Sequence, residues 1–141
     1  MKILALGLFS LLAMISCSDN KAKEPIFDTF DIYASKSDKI VVDYYENKLI
    51  TDKTIRRTIT KHSEITNLRT LIKQSSKTEG CYYSSGTINF YKDSEGCGSL
   101  EFGLDQKCSS FYIYFEGKPT TYKMSPECEA FLSALKNNNS F

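Results

Sequence analysis

Tryptophan is missing from this chain, histidine occurs once, and no apolar run is longer than the one that opens it. Each absence narrows the reading. The lone His62 stands just before a helix start, a surface position rather than that of a general base, and catalytic thiol chemistry usually asks for an imidazole nearby. Excess charge of one sign is lacking too: 18 Lys and Arg face 17 Asp and Glu, for a net charge of +1. Nucleic-acid binding needs a clustered basic surface. The only dense basic run, Lys53-Thr54-Ile55-Arg56-Arg57 with Lys61, reads as a solvated edge strand whose charges discourage edge-to-edge association. The chain has no Walker loop, dinucleotide glycine pattern, HExxH or serine elbow. Its carboxylates are scattered, so no catalytic residue, cofactor or metal site is expected.

What is present begins at the N terminus. Met1 and Lys2 give a short positive start, Ile3 to Ile15 is apolar apart from Gly7 and Ser10, and small Ser16 precedes Cys17 and the polar SDNKAKE. This is the layout of a secretory signal. It is too short to span a hydrocarbon core, which takes roughly 20 residues of helix. Met14-Ile15-Ser16-Cys17 resembles the lipobox of bacterial lipoproteins, with methionine where leucine is usual. The resemblance implies cleavage before Cys17 and acylation of its thiol and new amine. Each buried methylene is worth about 0.8 kcal/mol, so several chains (palmitate and its like) hold a protein on a membrane where one does not. The competing reading is an ordinary cleaved signal peptide. The expected division is a signal peptide over 1–16, a lipidated tether over 17–25 and a single domain over 26–141. Loss of Lys2 with the signal leaves the mature chain neutral.

Within the domain, Lys39 to Tyr45 is β-branched and aromatic and predicts a strand, Glu46-Asn47-Lys48 a turn, and Thr54 to Lys61 a second strand. Ser63 reads as an N-cap, followed by Ile65, Leu68, Leu71 and Ile72 as one apolar helical stripe. The period then changes to two. Ile88 and Phe90, then Leu100, Phe102 and Leu104, then Phe111, Ile113 and Phe115, mark three antiparallel strands with turn-rich separators. A fourth runs from Pro119 to Met124. Ser125-Pro126-Glu127 starts a last helix: a hydroxyl cap, a proline whose missing N–H costs nothing there, and an acid at the positive end of the dipole. The Asn137-Asn138-Asn139 tail ends it. The expected fold is α+β: a ββα unit, an antiparallel β-meander and a C-terminal helix, with the helices on one face of the sheet.

Besides Cys17, the chain holds Cys81, Cys97, Cys108 and Cys128. In an exported chain an even set favours disulfides. If Cys81-Tyr82-Tyr83 forms a short strand, strand directions pair Cys81 with Cys97 and Cys108 with Cys128; if residues 81–86 are a loop, Cys81 with Cys108 becomes open. The spacing holds no close ligand pair of the kind zinc knuckles use.

Nine tyrosines form the most distinctive feature. With Phe111, Ile113 and Phe115 turned to the helices, Tyr112 and Tyr114 face the other way, as does Tyr91. Gly103 on the strand between them leaves room above the sheet, flanked by rings and by Lys123. Tyrosines around a small residue suit a recognition surface, since each offers rigid area and a hydroxyl at low entropic cost; ordinary cross-strand pairing on an exposed sheet is the plainer reading. From Thr87-Ile88-Asn89-Phe90-Tyr91 through Gly98-Ser99-Leu100-Glu101-Phe102 and Cys108 to the last helix, the pattern resembles small lipoproteins of Bacteroidetes-type bacteria. That resemblance implies an envelope location and supplies no activity. The sequence therefore points to a non-enzymatic, membrane-anchored envelope lipoprotein whose small domain binds an envelope or extracellular protein partner. An envelope hydrolase, or a purely structural tethered domain, are the alternatives.

Overall fold

The computed structural model describes residues 31, 34–46, 54–80, 82–115 and 117–138. The signal segment, Cys17, the tether, Asn47 and Lys48 of the first turn, Cys81, Asn139 and the side chain of Phe115 lie outside the described residues. Among those described, seven strands build one sheet: β1 (Lys39–Tyr45), β2 (Thr54–Ile59), β3 (Ser76–Thr78), β4 (Gly86–Lys92), β5 (Glu95–Gly103), β6 (Ser110–Phe115) and β7 (Lys118–Lys123). Their spatial order is β2-β1-β4-β5-β6-β7-β3, and every neighbouring pair is antiparallel. Two fully described helices, α1 (His62–Lys73) and α2 (Pro126–Asn137), with further helical residues at Asp31, Ala34 and Ser35, complete an α+β fold.

Period-two patterning fixes which side of the sheet is covered. Ile40, Val42 and Tyr44 of β1, Ile88 and Phe90 of β4, Leu100 and Phe102 of β5, Phe111 of β6 and Tyr122 of β7 are all buried in one cluster. Onto it α1 lays Ile65, Leu68 and Ile72, and α2 lays Cys128, Leu132 and Leu135. Both helices thus share one face. The Tyr44 hydroxyl donates to the Leu132 carbonyl at 2.7 Å, and the rings of Tyr44 and Phe102 meet edge to face at 5.4 Å. At the β2 edge, Arg57 donates through Nε and Nη2 to the carbonyls of Leu135 and Lys136. This occupies carbonyls that the end of a helix otherwise leaves without partners.

Local chemistry explains the joints. Asp93 and Ser94 both take positive φ, 50° and 72°, the two-residue turn whose twist suits a β-hairpin. A bulge follows between Phe90 and Tyr91, so that Cys97 stands between Gly96 and Gly98 with no Cα partner on β4. Gly117 supplies the positive φ between β6 and β7. The hydroxyl of Ser125 accepts the Cys128 N–H, and Pro126 opens α2 as expected.

Two expectations need correction. Ser63 is not the cap of α1: Lys61 is, without a side-chain bond, its carbonyl accepting from Glu64 and Ile65 while its ammonium sits 3.3 Å from Glu64. The helix starts earlier because this backbone turn and ion pair close its first turn. The strand β3 was also unforeseen, since Ser76-Lys77-Thr78 has no apolar alternation and owes its form to pairing with β7.

This short strand positions the site. It lies at the far edge of the sheet, whereas β4, next in the chain, lies between β1 and β5. The connection therefore returns across the sheet. Its residues 82–85 form an irregular strap on the face opposite the helices, where Tyr82 and Tyr83 meet Tyr112.

Candidate functional site

The strap is seated by backbone and glycine. Ser85 donates to the Phe102 carbonyl at 2.7 Å, its carbonyl accepts from Tyr45 at 2.8 Å, and its hydroxyl accepts the Leu104 N–H at 2.8 Å. Tyr83 donates its N–H to the Tyr112 hydroxyl at 3.0 Å. A Cβ on Gly103 would stand 2.1 Å from the Tyr83 carbonyl oxygen, and one on Gly86 would stand 2.0 Å from that of Asp43. Only residues without side chains allow backbone this near.

Tyr112 is accordingly buried, 1 % exposed, beneath the strap. Gly103 is buried as well. The room expected above Gly103 is filled by Tyr83, so neither Gly103 nor Tyr112 offers a binding surface. Tyr91 lies elsewhere, opposite Lys39 on β1, whose ammonium sits 4.8 Å above its ring. Lys123 is exposed but lines a separate cleft. Of the expected group, only Tyr114 remains on the tyrosine surface, 53 % exposed.

The strap supplies what the strands do not. Tyr82 and Tyr83 are 47 % and 46 % exposed. The Tyr82 ring packs on Tyr112 at 4.6 Å and meets Tyr114 edge to face at 6.5 Å. A chain of hydroxyls ties them: Tyr114 donates to Tyr82 at 2.8 Å, and Tyr82 donates to the Glu101 carboxylate at 2.6 Å. Desolvation first, then the bonds to Glu101 and Tyr114, push the Tyr82 phenol well above its usual range. Burial does the same to Tyr112. Tyr82 and Tyr114 are thus held in place beside one carboxylate. Beyond them on the same face, Ser99 donates to Asn89 at 2.9 Å, Asn89 donates to Thr87 at 3.3 Å, and Arg56 grips Asp43 through two bonds of 2.7 and 3.1 Å. Sequence reasoning missed Tyr82 and Tyr83. The Tyr82-Tyr83 doublet before a Ser-Ser-Gly turn was the available signal.

The cysteine expectations change too. Cys97 and Cys128 are free thiols, so neither the Cys81–Cys97 nor the Cys108–Cys128 pairing forms. That pairing rested on a strand at 81–83, but Tyr82 and Tyr83 belong to the irregular strap, and Cys128 is locked into the core on α2. Burial raises its thiol pKa to about 12. Cys108 is disulfide-bonded, with its partner outside the described residues, and its Sγ lies 3.7 Å from the Tyr112 hydroxyl.

His62, the first residue of α1, is exposed and does not line the cleft. Among the described residues no group of three or more His, Cys, Asp or Glu is placed to hold a metal ion, and no helix is long and apolar enough to cross a membrane. No family model, curated protein or solved structure matches the chain.

Proposed function

We propose that this protein is a lipid-anchored lipoprotein of the bacterial envelope, held at Cys17, whose domain is a non-enzymatic binding module using the strap tyrosines. The observation that carries the reading is the exposure of Tyr82, Tyr83 and Tyr114 on one face, with the Tyr82 and Tyr114 rings fixed by the Tyr114–Tyr82–Glu101 chain. Rings already ordered in the free protein lose little further entropy when a partner covers them. Tyrosine is also among the residues that dominate binding energy at protein interfaces. A protein partner in the envelope or outside the cell fits this surface. The anchor has its own support in the Met14-Ile15-Ser16-Cys17 sequence after an apolar segment.

Two experiments test the two halves. Metabolic labelling with a radioactive fatty acid should mark the intact protein and leave a Cys17→Ser variant unlabelled; equal labelling of both would remove the anchor. Capture from envelope extract with the intact, C-terminally tagged chain should retain a partner that a Tyr82→Ser, Tyr114→Ser variant loses. Identical capture by both would remove the tyrosine surface from the account.

A further inference from the structure

A second site stands apart from the tyrosine surface. Where β3, β7, the 106–110 segment and the start of α2 converge, they enclose a cleft of about 400 Å³. That volume is within the range of small-molecule sites and has room for about a dozen waters. Nine of its thirteen lining residues carry polar side chains, so an apolar ligand would strand hydroxyls and charges.

Charge sharpens the choice. Lys123 enters from β7, Glu79 from the end of β3 and Glu129 from the first turns of α2. No ion pair joins any of these three to another described residue, although both signs line one cleft, whereas ion pairs form readily elsewhere on the chain. Lys107 adds a second cation to the lining and already has a partner of its own. Ser109, Ser110 and Thr121 place hydroxyl-bearing residues on the wall between the charges.

We propose that this cleft binds a small zwitterion, a short peptide with free amine and free carboxylate, whose carboxylate meets Lys123 and whose amine meets Glu79 and Glu129. One ligand of this kind satisfies both signs at once. A dianion would face two glutamates, and a dication would face Lys123 and Lys107. The polar wall leaves the peptide backbone hydrogen-bonding partners along its length.

The test is isothermal titration of the intact chain with trialanine, its N-acetyl form and its C-terminal amide. Trialanine should bind, and each blocked peptide should bind more weakly, by up to about fivefold, the scale of one solvent-accessible ion pair. Lys123→Gln should weaken trialanine and the acetylated form but leave the amide unchanged; Glu129→Gln should weaken trialanine and the amide but leave the acetylated form unchanged. Both are surface substitutions, and unchanged circular dichroism will establish that the variants fold. Absence of trialanine binding at millimolar concentration, equal binding of the blocked peptides, or indifference to both substitutions would each overturn the assignment.

Discussion

Replacing Gly103 by alanine probes the element on which the tyrosine surface depends. The new Cβ would lie 2.1 Å from the Tyr83 carbonyl oxygen and 2.9 Å from the Tyr112 hydroxyl, whereas ordinary contact begins at 3.4 Å. Backbone is the obstacle, so the strap must retreat. Retreat breaks the Tyr83 N–H bond to Tyr112, worth about 1 kcal/mol with a further cost if the donor stays dry. It also loosens the Tyr82–Tyr112 stack, worth about 0.5 to 1.5 kcal/mol. The stiffer unfolded chain returns about 0.5 kcal/mol. The net expectation is a loss of about 2 kcal/mol, and for a domain of this size a fall in Tm of roughly 8 °C or more. Urea and thermal unfolding measure the loss, while near-ultraviolet circular dichroism, free of tryptophan, reports the tyrosines. Gly96→Ala is the control, because nothing lies within 4 Å of a Cβ there. A Gly103→Ala loss below about 0.5 kcal/mol, within the range of harmless surface changes, with an unaltered tyrosine spectrum would refute the seating of the strap.

Alkaline pH should destabilise the fold. Tyr44, Tyr82 and Tyr112 have phenol pKa values raised above the ordinary 10.0 of a free tyrosine, and the Cys128 thiol is raised from 9.0 to about 12, chiefly by burial. The native state therefore keeps protons that the unfolded chain releases, so stability is complete below pH 9 and falls as pH rises beyond 9 to 10; a urea midpoint flat from pH 8 to 11 would contradict this. Towards a thiol reagent, Cys97 should react in the native protein and Cys128 only on unfolding, since Cys128 is fully buried; simultaneous modification would refute the packing of α2. Arg57→Gln should cost about 1 to 2 kcal/mol by freeing the carbonyls of Leu135 and Lys136. Its signature is faster hydrogen exchange at the end of α2 and along β2, and unchanged exchange there would exclude the clamp.

Where burial dictates residue type, the sequence was legible. Ile88 and Phe90 alternating with Asn89, and Leu100 and Phe102 with Glu101, could only sit on a sheet with one covered face, and Ser125-Pro126 could hardly do other than open a helix. Long-range pairing was not legible. Ser76 to Thr78 contains nothing that announces a strand, so the strap that its edge position forces went unseen, and with it the covering of Tyr112. Gly103 stood out in the sequence as a position leaving room above the sheet. What fills the space is backbone of the same chain, and no local pattern distinguishes that from room for a partner. The pairing of Cys81 with Cys97 and of Cys108 with Cys128 failed for the same reason, having been argued from a strand that Tyr82 and Tyr83 do not form; the alternative for a loop, Cys81 with Cys108, involves a residue outside those described.

The account turns on whether Tyr82, Tyr83 and Tyr114 are a contact surface. The most direct measurement is site-specific photo-crosslinking in intact cells, with a photoreactive phenylalanine analogue at position 114 and, for comparison, at position 58, where Thr58 of β2 is exposed away from the strap. The account predicts a discrete crosslinked protein from position 114, none from position 58, and loss of the product when Tyr82→Ser is added. No crosslink at 114, or the same products from both positions, would contradict it.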